Sequence, residues 1–140
     1  IGHKKENIKK LKEFYEVVVS DNQLDRIKDY IDTDSVARIG NDIFPLGVNG
    51  MVEHIIATKQ TYPDYTMKII SQYQDGDYVI SEFIMTGTHE GEWLGITPTN
   101  KVISITGVNI DKVVGGKIVE HGGAANTFDA FWENHLIKPV

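Results

Sequence analysis

Near the end of the chain, "GKIVEHGGAAN" (116–126) places a carboxylate, Glu120, beside an imidazole, His121, then four small residues and an amide, Asn126. Carboxylate and imidazole are the side chains that move protons near neutral pH, the carboxylate once burial has raised it. A second histidine, His89, ends an alternating run through Val79, Ser81, Phe83, Met85 and Gly87, and a third, His54, lies at helical spacing from Met51. Groups of this kind suit general acid–base catalysis, in which one side chain takes a proton and another returns it. The five histidines are too scattered for a zinc motif, and there is no cysteine, so thiol chemistry and thiolate metal sites are excluded. No Gly-rich phosphate loop and no Gly-x-Ser-x-Gly is present. Neither a metal site nor a nucleotide, flavin or serine-hydrolase site is expected.

The elements that must position these residues emerge from periodicity. Ile8, Leu11, Tyr15 and Val18 mark an amphipathic helix over about 4–20, and Leu24, Ile27 and Ile31 a second, shorter one. Residues 33–41 read as a short extended connection. A third helix carries Met51, Val52, Ile55 and Ile56 and ends at Tyr62-Pro63. The period then falls to two. Strands are expected from Tyr65, from Tyr78 to His89, from Val102 to Val114 and after the hairpin turn Gly115-Gly116, with "GEWLGITPTN" as a loop and a helical turn or two near the end. Helices succeeded by hairpin-linked strands give an α+β fold: a curved antiparallel sheet wrapped by the N-terminal helices into a cone with an internal pocket.

At 140 residues this is one domain, 1–140, large enough for a real core. Fourteen basic against twenty acidic residues, a net charge of −6, oppose nucleic-acid binding. The lysines near the start read as a solvated helix face. No apolar run reaches membrane-spanning length, and "IGHKKENIKK" lacks the apolar core of a secretory signal. No membrane partner is expected, and the expected location is cytoplasmic.

The section "MTGTHEGEWLGITPTNKVISITGVNIDKVVGGKIVEH", together with "TYPDYTMKI" and "PLGVNGMVEHI", resembles the SnoaL-like polyketide cyclase family. The likeness runs from about residue 8 to 132. It implies the nuclear-transport-factor-2-like fold, a deep pocket for a small apolar or aromatic molecule, and a homodimer formed through the sheet. It also implies cofactor-independent lyase or isomerase chemistry, such as intramolecular aldol cyclisation. Members commonly carry "EHW" on the last strand and, shortly after, an aspartate that shuttles the proton. Glu120 and His121 match; Gly122 takes the tryptophan position, and Asn126 falls where the aspartate is expected. An amide donates or accepts hydrogen bonds but takes no proton. Either another group moves the proton, or the chain is a non-catalytic binding module or a dimeric interaction protein of the same fold.

Strand alternation ranks the substitutes. In an unbroken strand Glu120 shares the face of Asn126 and His121 points outward, unless a bulge at Gly122-Gly123 resets the phase. His89 tops the inward row that holds Phe83 and Met85, so it is the expected base, with Asn126 as enolate or ligand donor; the competing reading has His89 capping a loop. Trp93 is expected to lid the pocket or to pack in the core. Asn109 and Asp111 share a parity with Ile103 and Ile105 and are candidate pocket polar groups. His54 is a buried, hydrogen-bonded histidine or a ligand contact. The substrate-binding set is thus Phe83, Met85, Trp93, Asn109, Glu120, His121 and His54.

Overall fold

The computed structural model describes residues 2–138. Helix α1 (Gly2–Glu13) runs on into a π-helical turn, Phe14–Val19, and a 3-10 turn comes next at Leu24–Asp29. Strands β1 (Ile31–Ile39) and β2 (Asp42–Pro45) precede helix α2 (Gly47–Thr61). Strands β3 (Thr66–Asp75), β4 (Tyr78–Thr88), β5 (Val102–Val114) and β6 (Lys117–Ala125) come after it, then the short helix α3 (Thr127–Glu133). The strands form one curved, unclosed sheet in the order β2-β1-β6-β5-β4-β3. The α+β architecture expected from the sequence is the one observed.

Two details depart from that expectation. Of residues 33–41, expected as a connection, 33–39 belong to β1 and 40–41 turn into β2; β1 lies parallel to β6, so the sheet is mixed. Between Ile31, opposite Ile118, and Val36, opposite Glu120, β1 spends extra residues, and the Asp34 N–H folds back onto Asp32 Oδ1 at 2.8 Å. That irregularity destroys the two-residue period, which is why the strand is invisible to alternation. The second helix is a six-residue 3-10 segment, and Ile31, placed on its stripe, opens β1 instead.

The N-terminal helix lies along the edge strand β3 and ties it down. Ile69 N–H donates to Glu16 Oε2 at 2.9 Å, and Met67 N–H to Ser20 Oγ at 2.8 Å, while Ser20 Oγ donates to the Tyr15 carbonyl at 2.9 Å. Edge donors that would otherwise face solvent are thereby partnered. Phe14, Tyr15 and Val18 in the π-helical turn are buried against the sheet's inner face, where Val79, Ile103 and Ile118 are fully enclosed. A π-turn widens the helix by one residue and rotates the side chains beyond it; here it belongs to the segment that presents Tyr15 to β5. Helix α2 begins where buried Ser35 accepts the Gly47 N–H on its hydroxyl (3.0 Å) and the Leu46 N–H on its carbonyl (3.0 Å). The inner face of the sheet, the π-helical turn and α2 leave a cavity between them.

Candidate functional site

The cavity measures about 650 Å³, within the range of small-molecule sites. Its walls are largely apolar, with Met51 and Ile55 from α2, Phe83 and Met85 from β4 and Ile105 from β5. Polar groups reach it from Tyr15, His54, Asn109 and His121.

The chemistry concentrates where β5 and β6 pair. Asp111 and His121 are directly opposite partners in the ladder. Asp111, wholly buried, accepts from the Tyr15 hydroxyl on Oδ2 at 2.5 Å and lies 2.5 Å from His121 Nδ1 through Oδ1. Tyr15 Oη is also 3.4 Å from His121 Nδ1. An acid enclosed among apolar side chains persists only when both oxygens are partnered, and here both are. The carboxylate fixes the ring: with Nδ1–H held by Asp111, the other nitrogen, Nε2, is the free one.

Burial pushes the Tyr15 phenol well above its ordinary range, and the charge of Asp111 and its hydrogen bond add to this, so Tyr15 stays a proton donor. For His121, burial alone acts downward, but the Asp111 charge and hydrogen bond outweigh it and the imidazole is raised. A histidine raised in the folded state stabilises fully below its unfolded value of 6.5, and that contribution is lost as pH rises through the folded value. His54, expected as a buried, hydrogen-bonded histidine or a ligand contact, is instead an exposed residue at the cavity wall; partial desolvation of its ring lowers it first and the nearby charge of His121 second. Proton-detected titration of the ring Cε1–H signals should find His121 titrating above His54, and Asp111→Asn should bring His121 down. If His121 titrates below His54 in the native protein, the Asp111 pairing does not exist in solution.

Of the residues singled out from the sequence, Phe83, Met85, Trp93, Asn109, His54 and His121 line the cavity. Alternation had turned His121 outward and Glu120 inward, and both orientations are corrected. In the β5–β6 ladder Lys112 faces Glu120 while Val113 faces Ile118, so Val119 is an extra residue. This bulge brings Ile118 and His121, three residues apart, to the same inner face. Glu120 turns instead to Arg38 on β1, Oε1 to Nε 3.2 Å. From Glu120 to Ala125 the pairing is unbroken, so His121 and Asn126 do lie on opposite faces, and it is Asn126 that faces outward.

Asn126 does not line the cavity. It sits directly after the last residue of β6, and its Nδ2 donates to Thr106 Oγ1 at 2.7 Å, on the outward-facing row of β5. His89 is wholly buried and also stands off the cavity. Its Nδ1 is 3.0 Å from Thr99 Oγ1, and its backbone closes the 89–101 loop through Lys101 and Asn100. Tyr62 and Trp93, which do line the cavity, pack on the His89 ring with centroids at 6.3 and 5.7 Å. Trp93 also meets Phe131 of α3 edge-on at 4.3 Å, so it is both cavity wall and core.

The sequence profile described as SnoaL-like polyketide cyclase matches residues 9–133. The chain belongs to the SnoaL-like polyketide cyclase family. Similar solved structures share its fold. A candidate polyketide cyclase from Acidithiobacillus ferrooxidans superposes with a TM-score of 0.79 at 21% identity, covering 91% of this chain and 93% of that one. IdmH, a candidate polyketide cyclase from Streptomyces antibioticus, gives 0.79 at 22% identity over 92% and 98% of the two chains. A candidate SnoaL-like polyketide cyclase from Jannaschia sp. CCS1 gives 0.80 at 14% identity over 97% and 94%. No curated protein matches the sequence.

In this SnoaL-like chain the site rests on two residues that sequence reasoning undervalued. Tyr15 looked like one more member of an apolar helical stripe. Asp111 looked like one of two alternative strand polar groups. The usable signal was its parity: an acid on the row of Ile103 and Ile105 must be either at a strand's wet end or buried and paired. Among the described residues no three His, Cys, Asp or Glu side chains gather as metal ligands, and no helix is long and apolar enough to cross a membrane.

Proposed function

We propose that this SnoaL-like protein binds an apolar, ring-sized carbonyl compound and moves a proton at the carbon next to the carbonyl, as aldol cyclisation or isomerisation requires, without a cofactor. One observation carries the reading: the Tyr15–Asp111–His121 cluster, which puts an oriented imidazole at the wall of a cavity otherwise made of aliphatic and aromatic side chains. The polyketide cyclase descriptions of the similar structures agree with a substrate of this kind. The amide of Asn126 then needs no proton-transfer role, because His121 supplies the titrating group. Tyr15 and Asp111 set the ring's tautomer, and the cavity's low polarity strengthens any charge-assisted contact to an enolate oxygen.

β-Tetralone is a suitable probe, since it is ring-sized and has exchangeable α-protons whose loss proton NMR records in heavy water. The purified protein should accelerate this exchange well beyond the same concentration of free imidazole. If β-tetralone quenches the fluorescence of Trp93 on binding while its exchange stays at the buffer rate across the neutral range, the catalytic reading fails. The chain would then be a binding module.

A further inference from the structure

Helix α2 brings a second imidazole to the same cavity. Met51, His54, Ile55 and Thr58 form one stripe, spaced three and four apart, and all four line the cavity. The Thr58 hydroxyl is bonded to the His54 carbonyl at 3.0 Å, as is common on a helix, but the His54 ring has no hydrogen-bond partner among the described residues. His121 lies near enough for its charge to act on His54. The helix wall and the sheet wall therefore each present one imidazole, one free and one tied to a carboxylate.

We propose that His54 and His121 work as a base–acid pair, His54 accepting the substrate's α-proton and His121 donating to its carbonyl oxygen. The step balances without a co-reactant. The C–H bond breaks and its proton passes to a His54 nitrogen. The freed pair forms the carbon–carbon double bond of the enolate, and the carbonyl π pair moves to oxygen, where the His121 N–H receives it. Return of the proton completes an isomerisation; in a cyclisation the enolate carbon attacks a second carbonyl within the same molecule, whose π pair moves to its oxygen and takes the proton held by His54, while the first carbonyl re-forms and releases its contact with His121. The inference rests on the proton-transfer reading above and adds the partner that reading lacks.

The environment divides the roles. His121 is the group that acts on His54; Arg38 on β1 and Tyr15 on the N-terminal segment line the same cavity, Asp111 stands behind His121, and Glu53 adjoins His54 on α2. Desolvation and His121 both push His54 below its ordinary value, whereas Asp111 holds His121 above it. Two like groups pushed in opposite directions are the usual mark of an acid and a base assigned by surroundings. Of the two rings, His121 is the one that keeps its proton to higher pH.

The experiment is β-tetralone exchange across pH with His54→Gln and His121→Gln beside the native protein. The native rate should rise as His54 loses its proton and fall as His121 loses its own. His54→Gln should slow exchange roughly 10²-fold and abolish the acidic limb while leaving the alkaline one. Added imidazole should restore part of the rate to His54→Ala. An unchanged Tm for His54→Gln, expected of a ring open to the cavity, separates this from misfolding. If His121→Gln is slow but His54→Gln keeps the native rate and profile, the pairing is overturned and the reading of His121 survives. If the native protein itself gives no acceleration, the proton-transfer reading falls, and this inference with it.

Discussion

Asp111→Ala is expected to lower stability by about 3 kcal/mol and to slow β-tetralone exchange between roughly 10²- and 10⁴-fold, while Asp111→Asn keeps most of the stability and loses a comparable share of the activity. Alanine removes the acceptor shared by Tyr15 and His121. The hydroxyl of Tyr15, a residue 3% exposed, is left with only a 3.4 Å contact to His121, and an unpartnered buried hydroxyl costs about 1–3 kcal/mol. The imidazole, no longer held in one tautomer, also loses the neighbour that raises it. Asparagine has nearly the same shape. Its carbonyl still accepts from Tyr15, but the amide that then faces His121 is a donor, so the ring must turn Nδ1 into an acceptor and move its proton to Nε2. The fold is served and the charge that steadies an imidazolium is gone. Urea unfolding and exchange kinetics on the two variants test this. Equal stability for both, or full activity in Asp111→Asn, would show that the carboxylate is a packing feature rather than the group that sets His121.

Much of this was open to sequence reasoning, and the remainder was hidden for identifiable causes. Strands β4 and β5 alternate because one face meets the cavity and core and the other does not; Val79, Ser81, Phe83 and Gly87 are all buried as their parity requires. Turn residues did the rest, with Gly115 and Gly116 both at positive φ, 60° and 77°, as the β5–β6 hairpin demands. The site itself was harder. Alternation holds from Glu120 to Ala125, but it was anchored on Asn126 facing the pocket; Asn126 turns to Thr106 instead, which puts His121 on the inner face. His89 fell on the correct inner row, but that row ends under the 89–101 loop, where Trp93 and Tyr62 pack against it instead of the cavity. The Asp111–Tyr15 contact joins residues 96 positions apart, and no local period reports such a pairing. Family resemblance led to the position of Asn126 in the chain, yet the strand stops at Ala125 and the amide turns to Thr106.

The loop that shelters His89 also holds α2 in place, and Gly91→Ala should be the most damaging single methyl group added to this protein outside its sheet. Glu90 and Gly91 both donate their N–H groups to the Thr61 carbonyl at 3.0 Å, giving the C-terminal end of α2 partners that a helix end otherwise lacks. The Thr61 hydroxyl returns the contact to the Glu92 carbonyl at 3.1 Å. To sit this close the loop needs glycine: a Cβ on residue 91 would stand 1.9 Å from the Gln60 carbonyl oxygen and 2.7 Å from its carbon. Backbone is hard to move on both sides, so the loop must lift or α2 must slide, at an expected cost of about 3 kcal/mol. Gly95 is the informative control. It has a φ of 85° but nothing within 4 Å of its would-be Cβ, so Gly95→Ala should cost only about 1 kcal/mol, the strain of placing a side chain in left-handed backbone. Urea denaturation should therefore rank Gly91→Ala well below Gly95→Ala. The lifted loop should also carry Trp93 away from Tyr62 and Phe131 and shift its fluorescence to the red before global unfolding. If the two variants unfold alike, the close approach of loop and helix is absent in solution. Because His54 rides on α2, Gly91→Ala should further impair β-tetralone exchange by displacing one wall of the cavity without altering any residue that lines it.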